Sequence, residues 1–132
     1  RVIYGKFGGK ISLDKMMISS SLLCVLAYLV ISLSASPVMG LIGIAVSGFA
    51  VGILWPGAYS KAAVSIKGGG TSMFALLALA GDLGCSGGPT FAGRIAASAG
   101  DNLKTGILAT VVFPAVLTAV LVLMRKRKTT AS

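Results

Sequence analysis

Few side chains in this sequence are equipped for chemistry. Its 132 residues include no His and no Glu, and the three acids, Asp14, Asp82 and Asp101, stand far apart. General acid–base pairs, imidazole-based catalysis and metal centres all need convergent ligands or titratable groups that this spacing does not supply. We therefore expect no enzyme, no metal site and no cofactor. Cys24 and Cys85 both fall inside apolar runs, without ligand spacing, and read as small core residues. The informative residue is Asp82, in Leu77-Ala-Leu-Ala-Gly-Asp-Leu-Gly-Cys-Ser-Gly-Gly-Pro89. A carboxylate inside an apolar segment is costly unless a partner or water reaches it, and intramembrane acids mark solute or ion pathways. At helical spacing Asp82 shares a face with Ala75, Ala78, Cys85, Ser86 and Pro89, a small and polar stripe. The bulkier Leu76, Leu79 and Leu83 lie elsewhere on the helix, so Asp82 is expected to point into protein or a watery cavity. The bland alternative is a buried carboxylate tied to a cation outside this chain. Gly84, Gly87 and Gly88, followed by Pro89, are expected to weaken the helix just beyond Asp82.

The elements that position this acid are set by the rest of the composition. The chain is 55% hydrophobic with a mean hydropathy of +0.93. Only 11% of its residues are charged, against roughly 25% in a soluble domain. Too little polar surface exists to cover a core in water, so the lipid bilayer is the expected solvent. The net charge of +9 resides in short clusters between long uncharged runs. Nucleic-acid modules carry a basic stripe on a polar fold, so that partner is excluded.

Four apolar runs, uncharged apart from Asp82 in the third, are predicted to be membrane-spanning helices, at about 16–34, 38–59, 71–93 and 105–124. They are flanked by a loop at 1–15 and a basic tail at 125–132. Each run is about the length needed to cross a hydrocarbon core of roughly 30 Å. None shows the period-two alternation of a strand, and a spanning segment must satisfy its own backbone hydrogen bonds. With four crossings, ten basic residues fall on one side: Arg1, Lys6, Lys10, Lys15, Lys61, Lys67 and Arg125-Lys-Arg-Lys128. Only Arg94 and Lys104 fall on the other. That asymmetry predicts a multi-pass integral membrane protein with both ends of the chain cytoplasmic. The first residue is Arg, and no signal-peptide pattern precedes the first span, so a longer parent protein is expected.

The second span is glycine-rich, and Gly48 and Gly52 form a G-x-x-x-G pair suited to close helix packing. Trp55-Pro56 near its end reads as an interfacial anchor and a kink, or as a ring lining a cavity. The first and fourth spans hold no ionisable residue and are expected to be outer, lipid-facing supports. Ser19-Ser-Ser21 is placed to cap or pack near the start of the first span, and Pro114 to bend the fourth. Gly9-Lys10 is followed by Ile11 rather than the Ser or Thr of a phosphate loop, Gly68-Gly-Gly70 has only Lys67 before it, and both read as tight turns.

The stretch Gly5-Lys-Phe-Gly-Gly-Lys-Ile-Ser-Leu-Asp-Lys15 resembles the Gly/basic loop motif of the major facilitator superfamily. Gly5 and Lys10 match its glycine and basic positions. Gly9 stands where an acid is usual, as in the weaker second copy of that motif. Four spans after such a loop, ending in a basic tail, resemble helices 9 to 12 of that twelve-helix fold. Gly52-Ile-Leu-Trp-Pro56 and Ala80-Gly-Asp-Leu-Gly-Cys-Ser-Gly-Gly-Pro89 are similar to helices 10 and 11 of its fucose-permease-like branch. The resemblance implies an all-α secondary transporter working by alternating access, with the missing N-terminal helices of the same protein as partner. It also implies that the second and third spans line the cavity while the first and fourth stand outside.

On this reading the chain moves a small polar solute, sugars among the candidate classes, with ion coupling or exchange. Asp82, Ser86 and Trp55 are the candidate substrate or ion contacts. Gly48, Gly52, Gly84, Gly88, Pro56 and Pro89 are the candidates for packing or gating. Two rival functions remain: a stand-alone four-helix exporter with Asp82 as its proton site, and a non-transporting scaffold subunit.

Overall fold

The computed structural model describes residues 12–66 and 68–130, with side chains described to residue 126. The chain forms helices α1 (Leu13–Leu33), α2 (Pro37–Ser65), α3 (Gly70–Ser98), α4 (Leu103–Thr110) and α5 (Val112–Thr130). Among the described residues there are no strands. Among the described residues three helices are long and apolar enough to cross a membrane: α1, α2 and the run Leu103–Lys126 that joins α4 to α5. The 29-residue α3 is long enough, spanning about 44 Å at 1.5 Å per residue. Its glycines, Asp82, Ser86 and Thr90 make it less apolar than the other three, so three helices rather than the expected four meet both criteria.

Boundaries shift outward from the sequence reading. α2 runs to Ser65 rather than Tyr59, because Ala62, Ala63 and Val64 continue a helix readily. It stops before Gly68 and Gly70, whose φ values of +83° and +50° suit glycine. α3 runs to Ser98 rather than Gly93, ending where Gly100 (φ +72°) and Asp101 (φ 60°) reverse the chain. Neither Pro56 nor Pro89 breaks its helix, although a weak point was expected at each. The interruption lies instead at Val111, between α4 and α5. Pro114 has no N–H to give the Thr110 carbonyl, and the helix resumes with the Ala115 N–H donating to the Val111 carbonyl at 3.1 Å.

α1 is the hub, in contrast to its expected place on the outside. Met16, Met17, Ser20, Ser21, Cys24 and Ala27 are all buried, and α1 packs against α2, α4 and α5. Along the α1–α2 seam, Gly43, Ala50 and Gly57 recur every seven residues and are the buried positions of α2. They run antiparallel to Met17, Cys24 and Ile31, which recur every seven residues on α1. A Cβ added at Gly43 would lie 2.5 Å from Ile31 and 3.2 Å from the Ala27 carbonyl; one added at Gly57 would lie 2.9 Å from the Met17 sulfur. Close backbone approach through small residues is how helices associate in lipid, where apolar burial gives no advantage.

Polar contacts mark both ends and the middle of this core. Lys61 Nζ lies 2.7 Å from the Asp14 carboxylate. At the opposite end Lys104 Nζ donates to the Ser34 carbonyl at 2.6 Å, and Asn102 caps α4 by accepting from the Lys104 and Thr105 N–H groups. Between them the Thr118 hydroxyl donates to Ser21 Oγ at 3.0 Å, joining α5 to α1. Ser20 and Ser21 are buried, so these two of the three serines pack into the core, while Ser19 is exposed.

Candidate functional site

α3 stands apart from the hub. It packs closely on α4, where a Cβ at Gly106 would collide with the Ala92 carbonyl and press on Ala96. Ala96 is its buried residue. Its meeting with α2 is sparse. There Trp55 stacks on Tyr59 with ring centroids 4.5 Å apart, and Tyr59 stacks on Phe74 at 5.6 Å. The indole Nε1 of Trp55 lies 3.6 Å from where a Cβ at Gly81 would be. That is ordinary van der Waals spacing, with the indole edge beside α3 at Gly81.

Asp82 follows Gly81 directly. It lies twelve residues into α3, about 18 Å along the axis and close to the middle of the helix. Its side chain is exposed, and among the described residues no hydrogen bond or ion pair reaches the carboxylate. Within this chain the carboxylate is exposed rather than buried among the described residues. Ser86, one turn on, donates its hydroxyl to the Asp82 backbone carbonyl at 3.0 Å. The Thr90 hydroxyl donates to the Ser86 carbonyl at 2.8 Å. Both hydroxyls are bonded back onto the helix itself. Of the three candidate contacts, Trp55 and Asp82 border the same stretch of α3. Ser86 lies one turn further along.

A separate open groove of about 910 Å³ lies between α3, α1 and the α4–α5 pair. Gly84, Gly88 and Pro89 line it, together with Tyr28, Phe91 and Phe113. Phe91 and Phe113 meet edge-on at 5.5 Å on its wall. The groove is mostly apolar, and neither Asp82, Ser86 nor Trp55 lines it. A smaller pocket of about 240 Å³ adjoins Tyr28, Ile31, Ile44, Ser47 and Ile107. Tyr28 and Ile107 border both.

Gly48 and Gly52 face open space, as do Gly84, Gly87 and Gly88, with no described atom within 4 Å of an added Cβ. The expected G-x-x-x-G contact is thus not made among the described residues; Gly43 and Gly57 provide the close approach instead. Pro56 sits beside Trp55 in α2 without ending the helix. The loop motif at Gly5 and Lys10 lies outside the described residues.

Sequence reasoning missed Tyr59 and Phe74. The first was legible, since Trp55 and Tyr59 are four residues apart on one helix and must neighbour each other. The second depends on how α2 and α3 cross, which no local pattern encodes. Phe91, Thr110 and Phe113 in the groove were invisible for the same reason. No family model matches the chain, and neither a curated protein nor a solved structure matches it.

Proposed function

We propose that the chain forms the last four membrane-crossing helices of a secondary transporter of the major facilitator type, moving a small polar solute by alternating access. The observation that carries this reading is α3, a helix long enough to cross a bilayer and peripheral to the bundle. At its middle stands Asp82, whose carboxylate has no partner among the described residues. In lipid that carboxylate demands water, a cation or a polar solute beside it. Large apolar side chains exposed on every long helix, such as Leu26, Leu41, Leu76 and Leu123, fit a bundle surrounded by lipid and further helices. Open glycines along α2 and α3 fit helices that meet additional partners across small residues. In this reading Lys61 and the basic tail face the cytoplasm, from the distribution of basic residues.

The test is uptake by the intact protein in its membrane, normalised to abundance, with a labelled hexose, amino acid and choline as probes. Wild type takes up at least one of them. Asp82→Asn keeps size and removes charge, so it remains abundant but loses most uptake; Asp82→Glu retains part. Asn behaving as wild type, or wild type moving none of the probes, contradicts the proposal. A non-transporting scaffold with a buried cation opposite Asp82 predicts instead that Asn lowers abundance, by stranding that cation.

A further inference from the structure

We infer that the solute recognised at Asp82 is a small organic cation of the ammonium class, held between that carboxylate and the aromatic stack of Trp55, Tyr59 and Phe74. This rests on the transporter reading above and narrows its substrate. Three observations converge on α3. Asp82 is a mid-helix carboxylate without a partner among the described residues. The basic residue nearest to it along α3 is Arg94, twelve residues and about 18 Å further on. Adjacent to Asp82, at Gly81, the indole of Trp55 begins a continuous stack that runs through Tyr59 to Phe74.

A neutral sugar would also stack on such rings, but it would leave the carboxylate's charge uncompensated in a low-dielectric region. An ammonium group compensates it, and the exposed face of Trp55 that does not stack on Tyr59 attracts the same charge, most strongly when water is excluded. The Ser86 and Thr90 hydroxyls are bonded back to the helix backbone, and a quaternary ammonium needs no donor from them. The chemistry beside Asp82 therefore fits a cation carrying an apolar shell.

The chain has a single tryptophan, and it is Trp55. Its fluorescence in the intact, lipid-reconstituted protein, with any tryptophan outside these 132 residues replaced by Phe, reports on this place directly. Choline chloride is expected to quench or shift the emission saturably. Sodium chloride at equal strength, and the neutral isostere in which a quaternary carbon replaces nitrogen, should act at least tenfold more weakly. Asp82→Asn should weaken the choline response tenfold or more, Asp82→Glu should recover part, and Tyr59→Leu should weaken it less. Circular dichroism and gel filtration verify that each variant is folded; if one is not, the wild-type contrast between choline and its isostere decides alone. An equal response to choline and the isostere, or none to choline, overturns the inference. Asp82-dependent uptake of the hexose with no choline response removes the cation assignment and leaves the transporter reading standing. Loss of both removes both.

Discussion

Glycine plays opposite parts in two regions of one helix. Gly43 and Gly57 in α2 are pressed against α1, with side chains where an added Cβ would need to be. Gly48 and Gly52, in the same helix, meet no described atom within 4 Å. Both pairs are glycines of one apolar helix, and the second pair has the better-known spacing. What separates them is phase: the buried positions Gly43, Ala50 and Gly57 follow a seven-residue period, and the other pair sits outside it. A short motif therefore identifies helices able to approach closely without saying which surface they use. The seam is closely packed; the faces of α2 and α3 beyond it are open, and Asp82 lies among them.

This contrast breaks most readily at the tightest contacts. Gly106→Leu forces a side chain against the Ala92 backbone, which cannot swing aside. A loss of about 3 kcal/mol or more is expected, seen as aggregation on gel filtration or failure to accumulate in the membrane. Gly43→Leu, against Ile31 and the Ala27 carbonyl, should cost about 1–3 kcal/mol in a detergent unfolding titration. Gly57→Leu should cost less than Gly43→Leu, because its neighbour is the flexible end of Met17. Gly48→Leu and Gly52→Leu should leave the stability of the isolated chain within about 0.5 kcal/mol. A larger loss there would mean that the open face is packed by a second copy.

Smaller effects sharpen the same map. Thr118→Val removes the α5–α1 hydroxyl pair and should cost about 0.6 kcal/mol, the usual size of such bonds between membrane helices. Lys61→Ala breaks a partly exposed ion pair with Asp14 and should cost under about 1 kcal/mol, diminishing further in salt. Reversal of this order would place the main stabilisation at the helix ends rather than along the seam.

Much of the architecture was readable without coordinates. Uncharged runs and their charged or glycine-rich interruptions located every long helix, since helix length and chain breaks are local properties. The break beside Pro114 was readable too, because a missing N–H acts on its own helix. Inside against outside was not. α1 looked like a lipid-facing support, since Leu, Val and Ala are apolar whether they touch protein or lipid. Its hub role emerges only when Met17, Cys24 and Ile31 are seen facing the small residues of α2. For the candidate site, the sequence isolated Asp82 and Trp55, residues unusual in kind. Their shared neighbourhood at Gly81, and the addition of Phe74, required the crossing of two helices.

The central claim is that α3 crosses the membrane and carries Asp82 into it, despite being less apolar than its neighbours. Single cysteines at Ser36, at Ser65 and at Ala99, in a background with Cys24 and Cys85 replaced by Ala, test this directly. All three sites are exposed and lie at or beside helix ends. With a membrane-impermeant thiol reagent applied to sealed vesicles of one orientation, Ser36 and Ala99 should react from one side and Ser65 from the other. Reaction of Ser65 and Ala99 from the same side would show that α3 does not cross, and Asp82 would then have no place in a transmembrane pathway.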